Sequence, residues 1–168
     1  MKLNKNYVFW FVTGSQHLYG PETLEQVKSD SQAIVDGLNE SGKFNYSIEF
    51  KALLTTPNEI TGVMKECNND DHCAGIIGWM HTFSPAKMWI KGLDSLEKPF
   101  VHLHTQYNRD IPWGDIDMDF MNLNQSAHGG REFGFINARL RNPRKVIVGY
   151  WEEEKVINEL NRFLNVCV

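Results

Sequence analysis

Cys73-Ala-Gly-Ile-Ile-Gly-Trp79 decides the fold. No residue in this run is charged, and nearly every side chain is apolar. A strand with one wet face alternates polar and apolar residues. A strand covered on both faces reads as a continuous apolar run, the signature of a parallel sheet flanked by helices. Working outward, Thr56-Pro57-Asn58-Glu59 reads as a capping box, in which Thr56 accepts from the Glu59 amide and Glu59 reaches back to Thr56. Ile60, Val63, Met64 and Cys67 form the buried face of the helix it opens. Further upstream, Tyr46–Leu53 and Tyr7–Thr13 read as strands. Between them Leu24, Val27, Ser31, Ile34 and Leu38 recur at helical spacing, with Pro21 at the start and Gly42 at the end.

Downstream the alternation continues. Ser84-Pro85 opens a helix carrying Met88, Trp89, Leu93 and Leu96. Phe100–His104 is a strand, and a long loop through Pro112-Trp113-Gly114 leads to a helix over 119–140, with a break expected at Gly129-Gly130. Lys145–Gly149 is a fifth strand and Glu152–Phe163 a last helix. The apolar ending Asn165-Val-Cys-Val168 reads as a final strand or a cut inside a longer polypeptide. Five βα units in succession predict a flavodoxin-like (Rossmann-like) α/β three-layer sandwich. Its five-stranded parallel sheet has order 2-1-3-4-5, and residues 1–168 form a single domain.

Composition narrows the function. A net charge of −4 recommends neither nucleic acid nor an anionic membrane as partner. The apolar run Tyr7–Val12 is too short for a signal peptide or a membrane span. Three cysteines without a CxxC pair argue against a disulfide framework or a cysteine zinc site, and favour a reducing cytoplasm.

In such a sheet, ligands bind beyond the carboxyl ends of the strands at the switch point. That crevice collects Gln16, His17, Leu18 and Tyr19 after strand one, His81, Thr82, Phe83 and Ser84 after strand three, and His104–Tyr107 after strand four. Amides, hydroxyls and aromatic faces with few charges suit a neutral polyhydroxy ligand better than a phosphate. There is no GxGxxG, no Walker A lysine and no catalytic triad. Asp115, Asp117 and Asp119 lack the glycine and bidentate glutamate of a calcium loop, and read as solvated carboxylates near a helix N-terminus. His102 and His104 share one strand face and read as structural. His128, flanked by Ala127 and two glycines, is a candidate ligand contact; Tyr19 and Phe83 are candidate walls of the crevice. Arg131-Glu132 reads as a local or inter-subunit ion pair.

Three long runs, Trp10-Phe-Val-Thr-Gly-Ser-Gln-His-Leu-Tyr-Gly-Pro-Glu-Thr-Leu24, His81-Thr-Phe-Ser-Pro-Ala-Lys-Met-Trp89 and Asp117-Met-Asp-Phe-Met-Asn-Leu-Asn-Gln-Ser-Ala-His-Gly-Gly-Arg-Glu-Phe-Gly-Phe135, resemble the L-arabinose isomerase family. The resemblance implies interconversion of L-arabinose and L-ribulose, and in many members of D-galactose and D-tagatose. It implies a divalent metal, usually manganese, held by two glutamates and two histidines in later domains beyond this chain. It implies that this chain corresponds to the N-terminal recognition and assembly domain of a longer, hexameric subunit, inactive alone. Gln16, Leu18 and Phe83 match positions lining the sugar pocket. Gln125 and His128 match positions presented to a neighbouring subunit's site. The competing readings are a stand-alone sugar-binding or assembly module and, more remotely, a flavin binder.

Overall fold

The computed structural model describes residues 6–82 and 86–168. Five strands, β1 (Val8–Gly14), β2 (Ser47–Leu54), β3 (Cys73–Met80), β4 (Phe100–His104) and β5 (Lys145–Val148), form one sheet of order 2-1-3-4-5. Every strand pairing is parallel. All eight residues of β3 are buried, as its unbroken apolar run requires. Helices α1 (Gly20–Glu40), α2 (Pro57–Asn69), α3 (Ile90–Ser95), α4 (Met118–Leu123), α5 (Ser126–Leu140) and α6 (Glu154–Cys167) complete the chain.

The pleat of the sheet sorts its side chains into two cores. Phe9, Phe11, Ile77, Trp79 and Leu103 pack with Ile34 and Leu38 of α1 and Val156, Leu160 and Leu164 of α6. Trp10, Val12, Ile76, Met80 and Phe100 pack with Ile60 and Met64 of α2, Trp89 and Leu93 at α3, and Phe133 of α5. The result is the expected three-layer sandwich. The capping box on α2 is fully formed, with Thr56 accepting from the Glu59 amide. Gly42 adopts φ +64 just past the end of α1, a left-handed turn that favours glycine.

Two boundaries differ from the sequence reading. The helix expected over 119–140 is broken at Asn124 and Gln125, between α4 and α5, and not at Gly129-Gly130. The break frees the Gln125 amide to donate to the carbonyl of His81 at 3.1 Å. Both glycines lie inside α5, and Gly130 has a packing reason: a Cβ there would sit 2.5 Å from the His104 ring. That ring is stacked on His102, with centroids 5.3 Å apart, so it has little room to give way. We therefore expect Gly130→Ala to destabilise the fold by about 1–3 kcal/mol through overpacking, read as a lower urea midpoint; an unchanged midpoint would show that the helix can retreat. The last helix continues to Cys167, so the apolar ending is helical and not a strand. The start of the third helix at Ser84-Pro85 lies outside the described residues; a 3-10 turn over Ala86–Trp89 leads into α3. Asp117 caps α4, its carboxylate accepting from the Phe120 amide at 2.8 Å.

Candidate functional site

Register places the site. The last paired residues of β1 and β3 are Gly14 and Met80. The next residue on each strand is therefore brought alongside the other: Ser15 Oγ and His81 Nε2 lie 2.7 Å apart, both side chains fully buried. His81 then ties three segments together. Its ring bonds the loop after β1, its carbonyl accepts the Gln125 amide that begins α5, and its edge meets the Tyr19 ring at 5.7 Å between centroids. The Tyr19 hydroxyl and Thr82 Oγ1 are 2.7 Å apart, a second link between the same loops. Trp79 Nε1 donates to the Thr105 carbonyl at 2.9 Å, bringing in the loop after β4.

His17, Leu18 and Tyr19 follow on a tight 3-10 turn, with Gln16 just before it. Gln16 and Gln125 are both half-buried, and each is one covalent or hydrogen-bonded step from the Ser15–His81 pair. Leu18 is an apolar side chain 77% exposed. His17 turns aside, its Nε2 lying 3.0 Å from Thr55 Oγ1. His128 lies one turn into α5, 60% exposed, with Nε2 4.0 Å from Glu132 Oε1. Glu132 thus faces His128 and not Arg131, whose Nε donates to the Ala127 carbonyl. Phe83 lies outside the described residues.

The site is electrically quiet. Burial pushes the His81 pKa down to about 3, opposed only in part by the Leu123 carbonyl. The ring is therefore neutral at pH 7. Around it stand hydroxyls, amides and a phenol, donors and acceptors that match sugar hydroxyls without attracting ions. Burial likewise pushes His102 down to about 3, helped by His104 and the Arg144 cation. Among the described residues no three His, Cys, Asp or Glu side chains converge as a metal site. A cavity of about 540 Å³ lies at the opposite edge of the sheet, beside Pro99, Phe100, Asn142 and Lys145. It is remote from the switch point and shares none of these residues.

Residues 3–168 match the family described as the L-arabinose isomerase N-terminal domain. The chain belongs to this L-arabinose isomerase family. Its relatives include an L-arabinose isomerase from Anoxybacillus flavithermus, 59% identical over 168 residues, which cover 100% of this chain and 34% of the relative. Another, from Geobacillus stearothermophilus, is 59% identical over 162 residues, or 96% of this chain and 33% of the relative. A third, from Clostridium beijerinckii, is 59% identical over 164 residues, or 98% and 33%. The chain thus spans about a third of the length of the curated relatives it matches. Ser15 and Thr82, which composition alone does not single out, are the side chains that hold its two principal loops together. The signal that would have found them is the Gly14–Met80 register, available only once the strands are paired.

Proposed function

We propose that this chain is the sugar-recognition domain of an aldose–ketose isomerase that converts L-arabinose to L-ribulose and also takes D-galactose to D-tagatose. The observation that carries the reading is the neutral, hydrogen-bonding crevice built on Ser15, His81 and Gln125 in a chain of this family. Gln16 and Gln125 hydrogen-bond sugar hydroxyls, each amide offering two donor hydrogens and an acceptor oxygen. Leu18, Tyr19 and Phe83 supply apolar walls that exclude water from the bound sugar. Neutral His81 orders these groups and does not exchange a proton with the substrate. Gln125, just before α5, and His128, exposed near its start, are offered to a neighbouring subunit of a cytoplasmic hexamer. In this reading manganese and the proton-transferring groups are supplied by the part of the relatives' length that this chain does not cover. Alone, this chain binds and orients without turnover.

The test is a chimera in which this chain replaces the matching third of the Anoxybacillus flavithermus relative. Metal-dependent formation of L-ribulose from L-arabinose by the chimera, with none from the isolated chain, is the expected result. A folded, metal-loaded chimera without turnover would refute the substrate assignment. Turnover by the isolated chain would refute the division of labour.

A further inference from the structure

The three cysteines, scattered in sequence, converge at the amino edge of the sheet. Cys67 lies in the last turns of α2, Cys73 opens β3, and Cys167 ends α6. Two successive turns close the gap between the first two: the Asp70 amide donates to the Cys67 carbonyl at 3.3 Å, and the Cys73 amide to the Asp70 carbonyl at 3.2 Å. The Cys67 and Cys73 sulfurs are thereby held 3.3 Å apart, both side chains buried. Lys98 clamps the turn, its Nζ donating to the carbonyls of Asp70 at 2.5 Å and Cys73 at 2.7 Å. A cavity of about 320 Å³ reaches Cys73 and is lined also by Asn68, Lys98 and Cys167.

We propose that Cys67 and Cys73 form a hydroperoxide-reactive dithiol that closes to an intramolecular disulfide. The cavity admits a small hydroperoxide to Cys73, and the adjacent ammonium favours its thiolate. The Cys73 sulfur attacks the peroxide oxygen; the O–O bond breaks, and the departing oxygen takes a proton to leave as water or alcohol. Cys73 is now a sulfenic acid, two electrons oxidised. Cys67 attacks that sulfur, the S–O bond breaks, and the hydroxide leaves as water with the Cys67 proton. Roles follow from access and charge: the cavity lining includes Cys73 and the Lys98 ammonium, while Cys67, fully buried, lies against the Cys73 sulfur. Seven residues, from Cys67 to Cys73, then form a closed ring that pins α2 to β3, at the end of the sheet away from the sugar crevice.

The experiment is titration of the folded protein with hydrogen peroxide, followed by alkylation and mass spectrometry. Trypsin releases both residues in one peptide, Glu66–Lys87. The expected product is that peptide lighter by two hydrogens, one alkylatable thiol left at Cys167, and full recovery with dithiothreitol. Cys167→Ser leaves the reaction unchanged, and Cys67→Ser diverts Cys73 to sulfinic acid. Oxygen addition at Cys67 or Cys73 of the wild-type peptide, located by fragmentation and so told apart from Met80 sulfoxide, a bond to Cys167, or survival of both thiols while Cys167 oxidises would overturn the proposal. These readouts on the wild-type chain need no variant to fold.

Discussion

His81→Ala lowers the unfolding free energy by about 3–5 kcal/mol and loosens the loop that carries Gln16. Three losses add. The imidazole is fully buried, so its removal leaves a cavity that the neighbouring loops fill only in part. Ser15 Oγ, also buried, loses its 2.7 Å partner and keeps the desolvation cost, about 1–3 kcal/mol for an unpaired hydroxyl. The edge-on contacts with Tyr19 and Trp79 disappear as well. Urea unfolding followed by tryptophan fluorescence measures the total. The double variant Ser15→Ala/His81→Phe removes both polar partners while refilling the space, and is expected to recover most of the loss. A single variant as stable as the parent would show that the Ser15–His81 bond does not hold the crevice together.

The second large effect is acid lability well above the carboxylate range. Burial holds both His81 and His102 at pKa values of about 3, against about 6.5 in the unfolded chain. Between those values the unfolded chain binds protons that the folded chain refuses. Stability is therefore complete above about pH 7 and falls as pH drops through 6.5 toward 3. The slope approaches about 1.4 kcal/mol per pH unit for each histidine, or about 4 kcal/mol for the pair between pH 7 and 5. Burial lowers His104 too, which adds in the same direction. Glu59 and Asp70 lie lower than their ordinary values and act only nearer pH 4, while burial raises Asp30, which takes up its proton more readily in the fold and so works against the histidines as pH falls. Urea midpoints at pH 7 and pH 5 test the expectation. The Ser15→Ala/His81→Phe variant should show about half the parent's pH dependence, and a flat parent profile would mean that neither histidine stays neutral.

The architecture was legible because its signals are local and repeated. The apolar run of β3, the capping box on α2 and the 3.6-residue stripe of α1 each hold without knowledge of the rest of the chain. The misplaced helix break shows where local reading stops. Gly129 and Gly130 carry a real propensity cost, but Gly130 answers to the ring of His104, which lies 26 residues earlier in the chain. The true break at Asn124 and Gln125 has neither glycine nor proline to mark it, and its reward is a long-range bond to His81. The terminal Val166 and Val168 misled for the opposite reason: both are exposed on a helix end, where three apolar residues cannot distinguish helix from strand. At the crevice, the loops after β1 and β3 were correctly located by topology. The role of His81 as a buried bridge was not, because it depends on which residue of β1 stands opposite which residue of β3.

Recognition of a neutral sugar through the two amides is the central claim, and the Gln16→Ala substitution in the chimeric isomerase tests it most directly. The side chain contributes hydrogen bonds to an uncharged ligand, each worth about 0.5–1.5 kcal/mol net. The account predicts that kcat/KM for L-arabinose falls about 10- to 100-fold while the urea midpoint and metal content stay at the parent's values. Gln125→Ala is expected to behave the same way, and the two together to cost more than either alone. Unchanged kcat/KM in a folded, metal-loaded Gln16→Ala chimera would contradict the account.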